Sequence, residues 1–298
     1  MIKLVIIMMF KDNFSNNERY KLFRNMYEII HPTISKKNIS NYKIVFDEGI
    51  LPVRVFYPKR LANLSSVVIY VPGEGNISNC YGEYENILKD MAINLDKLVI
   101  AIDYFDEEIK YPYIFDKIYN CIDFIISELG NNNILTSNIV LMGDSFGSNL
   151  VSGITLKRID EDKVIDYKEV LFYPIISGEY YGKSKYESLN RDGIVEKEDL
   201  ALFVGFIKKY ISNKKRLSDK YICPFKNKDF SSYPDTFILT ADLDILRDEG
   251  KSFSDLLISC NEKSMYYNLL FSEHGFLDFT DIEVKEEIYN KIKEFLNS

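Results

Sequence analysis

The chain has 298 residues, a formal net charge of −8 at pH 7, and 46% hydrophobic and 28% charged residues. This length and apolar content are typical of a globular protein with a sizeable core. The acidic balance argues against nucleic acid as a partner, because nucleic acids bind basic grooves. Its four cysteines lie far apart and form no Cys-x-x-Cys pair, so we expect reduced thiols rather than a zinc site or a disulfide scaffold.

The N-terminal segment MIKLVIIMMFKD has an apolar run from Leu4 to Phe10 that ends at Lys11. No small-residue cleavage site follows this run, and it is far too short to span a bilayer. We therefore expect no export signal and no membrane partner. The expected location is the cytoplasm.

Strand-length apolar runs with many β-branched residues recur along the chain. An antiparallel hairpin is expected first, with strands 43–46 and 53–57 at one edge of a sheet. The later strands are expected, in chain order, at residues 67–71, 98–103, 139–142, 169–173, 237–240 and 265–271.

Amphipathic helical patterns lie between the later runs. One covers residues 114–129, where Gly130 is expected to end the helix; others cover 250–260 and the C-terminus. Strands that alternate with helices predict an α/β fold, with a mostly parallel central sheet and helices on both faces. Residues 1–40 and 178–222 do not fit this alternation. Connections this long inside a compact domain are often lids.

The segment GDSFGSN follows the expected strand 139–142, and it places Ser145 between Gly143 and Gly147. Small residues two positions before and after a serine allow a sharp strand-to-helix turn without side-chain clashes. The amides of the following helix then point at the reacting oxygen. Ser145 is therefore either a nucleophile on a strained turn or part of an ordinary strand-to-helix connection.

A nucleophilic serine needs a base, and a carboxylate that orients this base. Of the two histidines, His31 has the pattern of a surface or packing residue, whereas His274 follows the expected strand 265–271 at the edge that carries Ser145. The spacing alone leaves four carboxylates open after strand 237–240: Asp242, Asp244, Asp248 and Glu249. The chain order of serine, acid and histidine is that of α/β hydrolases.

Together these motifs resemble those of the hormone-sensitive-lipase-like branch of the α/β hydrolases, which includes bacterial acetyl esterases. Residues 143–149 (GDSFGSN) match its motif Gly-Asp-Ser-Ala-Gly-Gly-Asn, residues 244–250 (DILRDEG) match Asp-Pro-Leu-Arg-Asp-Glu-Gly, and residues 274–276 match His-Gly-Phe. The resemblance runs from about residue 43 to the C-terminus and implies an α/β-hydrolase fold with a triad of Ser145, His274 and Asp244. Residues 1–40 and 178–222 resemble the family's small helical cap over the acyl pocket, within a single domain of residues 1–298.

The oxyanion loop departs from the family pattern, because His-Gly-Gly-Gly is replaced by PGEG at residues 72–75. The resemblance implies that the backbone N–H groups of Gly73, Glu74 and Phe146 bind the oxyanion. The Glu74 side chain would oppose a developing negative charge if it pointed inward. Phe146 stands where the family has Ala, and its ring is expected to narrow the acyl pocket.

The resemblance implies a serine carboxylesterase that hydrolyses short-chain, acetyl-type esters through an acyl-enzyme, without a metal or cofactor. The altered loop keeps a second hypothesis open: a catalytically weak or inactive small-molecule binding protein on the same fold, as in the plant gibberellin receptors. Those receptors have lost the triad histidine, whereas His274 is present here. A peptidase of the prolyl-oligopeptidase kind would carry a large additional domain and is not expected. The expected partner is a small-molecule ester; family members often dimerise, so a homodimer is an open option.

Overall fold

The computed structural model describes residues 21–23, 29, 39–46, 49–59, 66–73, 83–104, 107–177, 188, 204–205, 207–277 and 281–298. Within these residues, one nine-stranded sheet forms the centre of the molecule. The strands are β1 (Lys21–Phe23), β2 (Ile39–Phe46), β3 (Gly49–Phe56), β4 (Val67–Val71), β5 (Leu98–Ile102), β6 (Ile139–Asp144), β7 (Lys168–Phe172), β8 (Thr236–Ala241) and β9 (Met265–Leu269).

The spatial order of the strands is β1-β2-β3-β5-β4-β6-β7-β8-β9. From β5 to β9 every neighbouring pair is parallel, whereas β3 is antiparallel to both β2 and β5. The expected hairpin is confirmed as β2 and β3, but it is not the edge, because β1 pairs with β2 in parallel beyond it. The carboxyl ends of β6, β8 and β9 consequently lie along the same side of the sheet, where ligands bind in α/β folds.

Five long α-helices lie within the described ranges: α1 (Glu83–Leu95), α2 (Tyr113–Asn131), α3 (Phe146–Asp160), α4 (Arg247–Cys260) and α5 (Ile282–Asn297). Successive side chains of a strand point to opposite faces of the sheet. On β4, Ile69 belongs to a hydrophobic cluster that α2, α3 and α4 cover, whereas Tyr70 belongs to a second cluster under α1 and α5. The predicted α/β fold with helices on both faces of a mostly parallel sheet is therefore confirmed.

Several predicted element boundaries differ from the structure. Helix α4 begins at Arg247 rather than at residue 250, β6 continues to Asp144, and the hairpin strands begin at Ile39 and Gly49 rather than at residues 43 and 53. The helix α2 continues through Gly130 to Asn131, and the left-handed residue that follows it is Asn133, with a φ of 64°. Strand β9 ends at Leu269 rather than at Phe271, because Leu270 and Phe271 form a turn in which they are 64% and 87% exposed.

The expected cap segments lie largely outside the described residues. Of residues 178–222, the structure describes 188, 204–205 and 207–222, and residues 204–205 and 207–211 are helical. Tyr210 from this part is buried, and its backbone carbonyl accepts a hydrogen bond of 2.8 Å from the N–H of Tyr111. That these segments form a cap over the acyl pocket stays a prediction.

A buried carboxylic acid lies near the amino end of β7, away from the edge that carries Ser145. Glu169 is fully buried and accepts hydrogen bonds from the hydroxyl of Thr155 on α3 and, at 3.5 Å, from that of Thr236 on β8. Burial raises the pKa of Glu169 from 4.5 to about 7, and hydrogen bonds offset only part of this effect. The folded chain therefore keeps a proton on Glu169 in a pH range where the unfolded chain has lost it.

The substitution Glu169→Gln is expected to change how the free energy of unfolding depends on pH. The contribution of Glu169 is fully present below pH 4.5 and is lost as the pH rises through about 7, the folded-state value. The unfolding free energy of the unsubstituted protein minus that of Glu169→Gln should thus fall by about 3 kcal/mol between pH 4.5 and pH 8. Urea unfolding at several pH values measures this difference. A difference that does not change with pH would contradict the prediction.

Candidate active site

Ser145 lies on the turn between β6 and α3, with a φ of 50° and a ψ of −115°. A non-glycine residue in this region of backbone space is strained by about 1–3 kcal/mol, and such strain persists only where the surroundings impose it. Here the Ser145 N–H donates to the carbonyl of Phe172 at 2.9 Å, and the Ser145 carbonyl accepts from the N–H of Ile175 at 3.3 Å. Both contacts attach the turn to the end of the neighbouring strand β7.

The two glycines around Ser145 make close approaches that a side chain would prevent. A Cβ atom on Gly147 would lie 2.0 Å from the carbonyl oxygen of Val71 on β4. A Cβ atom on Gly143 would lie 2.6 Å from the backbone of Gly147. These distances explain the Gly-x-Ser-x-Gly spacing, since α3 packs with its first turn directly against the end of β4.

His274 lies in the loop after β9, and its ring reaches Ser145 and Asp244 at the same time. Its Nε2 atom is 2.9 Å from the Oγ of Ser145, and its Nδ1 atom is 2.8 Å from the Oδ2 of Asp244. The Tyr173 ring packs against the imidazole with a centroid distance of 4.7 Å, and Phe276 packs edge-on against Tyr173 at 5.0 Å. Hydrogen bonds at both nitrogens and an aromatic face together fix the orientation of the imidazole.

Among the four carboxylates that the sequence left open, Asp244 is the one that contacts His274. Its side chain is 1% exposed, and its Oδ1 also accepts from the N–H of Leu246 at 2.9 Å. The other three have different partners. Asp242 and Asp248 each pair with Arg247, and Glu249 accepts from the Ile176 N–H at 2.7 Å and the Ser177 hydroxyl at 2.6 Å.

Of the three expected oxyanion donors, the backbone N–H groups of Gly73, Glu74 and Phe146, the structure describes those of Gly73 and Phe146. Phe146 is the first residue of α3 and directly follows Ser145. The Gly73 N–H instead donates to the Oδ1 of Asp144 at 2.9 Å, which conflicts with its expected role as an oxyanion donor. A buried carboxylate accepts this hydrogen, so it is not directed at a substrate. Glu74 lies outside the described residues.

Asp144, the last residue of β6, is the buried carboxylate in question. Its Oδ1 also accepts from the Tyr70 hydroxyl at 2.7 Å, and its Oδ2 accepts from the Tyr84 hydroxyl at 2.7 Å. Burial raises the pKa of Asp144, while the hydrogen bonds from Tyr84, Tyr70 and Gly73 act in the opposite direction. The sequence analysis missed Tyr70 and Tyr84; the available signal was a tyrosine within the otherwise aliphatic strand VVIYV.

A family model described as alpha/beta hydrolase fold matches residues 68–278 of this chain, which is more than half of its length. The strand order and the nucleophile turn described above are those of the same fold. The chain therefore belongs to the α/β-hydrolase fold family, and the resemblance to the hormone-sensitive-lipase-like branch is confirmed with it.

Several named relatives are similar to the chain over most of its length. An arylesterase from Saccharolobus solfataricus is 23% identical over 89% of this chain and 86% of the relative. Carboxylesterase NlhH from Mycobacterium tuberculosis is 26% identical over 77% of this chain and 72% of the relative. The solved structure of a hyperthermophilic esterase from Pyrobaculum calidifontis superimposes with a TM-score of 0.74, at 22% identity, over 90% of this chain and 85% of that one.

The described residues contain neither a helix that could span a membrane nor a cluster of metal-ligating side chains. No helix in this part of the chain combines the length and apolar character that crossing a bilayer requires. Among the same residues, no group of three or more His, Cys, Asp or Glu side chains is arranged to hold a metal ion.

The close approach of Gly147 to Val71 generates a prediction about stability. Gly147→Ala is expected to lower the free energy of unfolding by about 3 kcal/mol or more, since the new Cβ would force β4 and α3 apart. Gly130→Ala is the matched control, because a Cβ atom there would meet nothing within 4 Å inside helix α2. The control should be neutral or stabilising by about 0.5–1 kcal/mol. Thermal unfolding of both variants measures the difference, and equal effects would refute the steric argument.

Proposed function

We propose that this carboxylic ester hydrolase cleaves short-chain acyl esters through a triad of Ser145, His274 and Asp244. The observation that carries the proposal is the continuous chain of contacts from Ser145 Oγ to His274 Nε2 at 2.9 Å and from His274 Nδ1 to Asp244 Oδ2 at 2.8 Å. The base is thus within hydrogen-bond distance of both the nucleophile and the orienting carboxylate. The names of the relatives, an arylesterase and carboxylesterases, support the same reaction class.

In the proposed reaction, Ser145 Oγ attacks the ester carbonyl carbon while His274 Nε2 takes the serine proton. His274 then gives this proton to the leaving alcohol, and a water molecule hydrolyses the acyl-enzyme by the reverse sequence of proton transfers. Asp244 accepts a hydrogen bond from Nδ1–H, which selects the tautomer whose Nε2 can accept the serine proton, and it stabilises the imidazolium. Because its carboxylate is buried, Asp244 interacts with the imidazolium in a medium of low dielectric.

For the oxyanion we propose the backbone N–H groups of Phe146 and Glu74. The Phe146 amide adjoins the nucleophile at the N-terminus of α3, where the helix dipole also favours a negative charge. We do not propose the Gly73 N–H, because it donates to Asp144. Glu74 is proposed only from its position in the loop PGEG.

The short acyl chain is proposed from the surroundings of Phe146. Its ring is buried next to the nucleophile and packs edge-on against Tyr210 of the 178–222 insert, with a centroid distance of 4.7 Å. A pair of aromatic rings in this position would occupy volume that a longer acyl chain needs.

We also propose a cytoplasmic location, since Cys121, Cys223 and Cys260 are free thiols.

The altered loop favours a second candidate, a catalytically weak or inactive small-molecule binding protein. In this alternative the engagement of the Gly73 N–H by Asp144 leaves too few donors to stabilise a tetrahedral intermediate. Loss of one oxyanion donor lowers kcat by about 10²- to 10³-fold in a serine hydrolase. The protein would then bind an ester or a related small molecule with little turnover.

The first test is the reaction of the purified protein with a fluorophosphonate probe, together with turnover of p-nitrophenyl acetate. We expect labelling and turnover, and we expect Ser145→Ala to abolish both, because the variant lacks the nucleophile. Labelling without turnover would favour the weak or inactive binding protein. Absence of both signals in folded protein would refute the esterase proposal.

The same assay tests the acid with a matched pair of variants. Asp244→Asn should lower kcat by about 10⁴-fold, since an amide at this position favours the wrong tautomer of His274. Asp242→Asn changes a carboxylate two residues away that pairs with Arg247, so kcat should stay within about threefold. Equal losses in the two variants would contradict the assignment of Asp244.

The acyl-chain proposal predicts a change of specificity in Phe146→Ala. Removal of the ring should raise the ratio of kcat/KM for p-nitrophenyl butyrate to kcat/KM for the acetate by about tenfold. The reason is that the butyryl group has two more methylenes than the acetyl group, and burial of each contributes about 0.8 kcal/mol. Tyr210→Phe keeps the aromatic contact and serves as the control, with an unchanged ratio. A ratio that stays the same in folded Phe146→Ala would show that this ring does not limit the acyl chain.

A further inference from the structure

One peptide group at the start of the oxyanion loop is hydrogen-bonded at both of its ends. The carbonyl oxygen of Pro72 accepts from the Tyr104 hydroxyl at 2.5 Å. The N–H of the following residue, Gly73, donates to Asp144 Oδ1 at 2.9 Å. With both polar atoms held, the plane of this peptide group cannot rotate without loss of at least one buried hydrogen bond.

The carboxylate that holds the Gly73 N–H is itself held from two other elements. Tyr70 on β4 and Tyr84 on α1 each donate a hydroxyl hydrogen bond of 2.7 Å to Asp144. The three tyrosines and Asp144 are all buried, with exposures of 9% or less. Their hydrogen bonds therefore lie in a medium of low dielectric, where they are strong and where loss of a partner is costly.

The Pro72–Gly73 peptide group also lies directly against the nucleophile turn. A Cβ atom on Gly73 would be 2.7 Å from the carbonyl oxygen of Asp144 and 3.0 Å from the Cβ of Ser145. The backbone of the loop therefore contacts the residue that carries the proposed nucleophile. A rotation of the Pro72–Gly73 peptide plane would therefore move backbone atoms that lie against the nucleophile turn.

We propose that Tyr70, Tyr84, Tyr104 and Asp144 are positioning residues for the oxyanion loop. They fix the Pro72–Gly73 peptide plane against Ser145, so that the loop is held without the histidine with which the family motif begins. The inference rests on the proposed esterase function, because its purpose is the orientation of donors toward a developing oxyanion. Such preorganisation acts on the transition state more than on the bound ester.

The test compares three variants that each remove one hydroxyl, Tyr70→Phe, Tyr84→Phe and Tyr104→Phe, with a matched control. Tyr167→Phe is the control, since Tyr167 is equally buried but its hydroxyl contacts Thr155, at 2.9 Å, near the amino end of β7. For each protein kcat and KM with p-nitrophenyl acetate are measured, together with the inhibition constant of an aryl trifluoromethyl ketone. Ser145 Oγ adds to the ketone carbon of this inhibitor and His274 takes the serine proton, so the product is a hemiketal with a bound oxyanion.

We expect Tyr70→Phe, Tyr84→Phe and Tyr104→Phe each to lower kcat by about tenfold, with KM within about twofold of the unsubstituted protein. The inhibition constant of the ketone should rise by the same factor by which kcat falls. Tyr167→Phe should leave all three constants unchanged. A purely structural role would lower the melting temperature without linking kcat to the inhibition constant. Unchanged kcat and inhibition constant in folded Tyr70→Phe, Tyr84→Phe and Tyr104→Phe would overturn the proposal. If Tyr104→Phe does not fold, Tyr70→Phe and Tyr84→Phe test the proposal through Asp144 and the Gly73 N–H. If those two do not fold, Tyr104→Phe tests it through the Pro72 carbonyl.

Hydrogen exchange at the Gly73 amide separates this proposal from the proposed function. The N–H should be strongly protected in the unsubstituted protein, and protection should fall by at least tenfold in Tyr84→Phe. If the Gly73 amide is protected but the protein shows neither turnover nor ketone binding, the esterase function and the positioning role are both refuted. The hydrogen bond from the Gly73 N–H to Asp144 would still be confirmed. Turnover with an unprotected Gly73 amide would refute the proposed positioning role and leave the esterase function standing.

Discussion

The contact between Gly147 and the carbonyl of Val71 is the constraint on which the rest of the site depends. At this point a helix, α3, touches the end of a central strand, β4, with no side chain between them. The chain enters this position from β6 through Ser145, which has a positive φ of 50°. The strain at Ser145 is thus a consequence of packing, and the same packing exposes the hydroxyl at the carboxyl edge of the sheet.

The remaining groups of the site reach Ser145 because parallel strands end on the same side. His274 follows β9 and Asp244 follows β8, so the parallel order of the strands brings both toward β6. The loop after β9 also contains two residues with positive φ, Phe271 at 57° and Gly275 at 86°. Contacts between loops then refine the arrangement. Glu249 at the start of α4 holds the backbone after β7 through Ile176 and Ser177, and this is the segment that accepts and donates the hydrogen bonds of the nucleophile turn.

The sequence predicted the parallel sheet and the association of Ser145, His274 and Asp244, because these depend on local patterns and on chain order. It did not predict the role of Asp144, since the partners of this carboxylate are 60 to 74 residues away and no spacing rule connects them. The hydrogen bond from the Gly73 N–H to Asp144 could not be predicted for the same reason, and an oxyanion role of Gly73 stays a prediction with which this contact conflicts. Errors at Gly130 and Phe271 have a different origin: one glycine is tolerated near a helix end, and an apolar run can continue into an exposed turn.

Helix α3 has almost no surface in contact with water. Twelve of its 15 residues are buried, and a Cβ atom on Gly153 would lie 2.1 Å from the carbonyl oxygen of Tyr221 in the insert. The sheet lies on one side of this helix and residues of the insert on the other. Substitutions on α3 are therefore restricted at nearly every position, whereas the described residues 207–222 of the insert include exposed side chains that can vary. Divergence in substrate range between related chains should accordingly accumulate in the insert and leave the nucleophile helix unchanged.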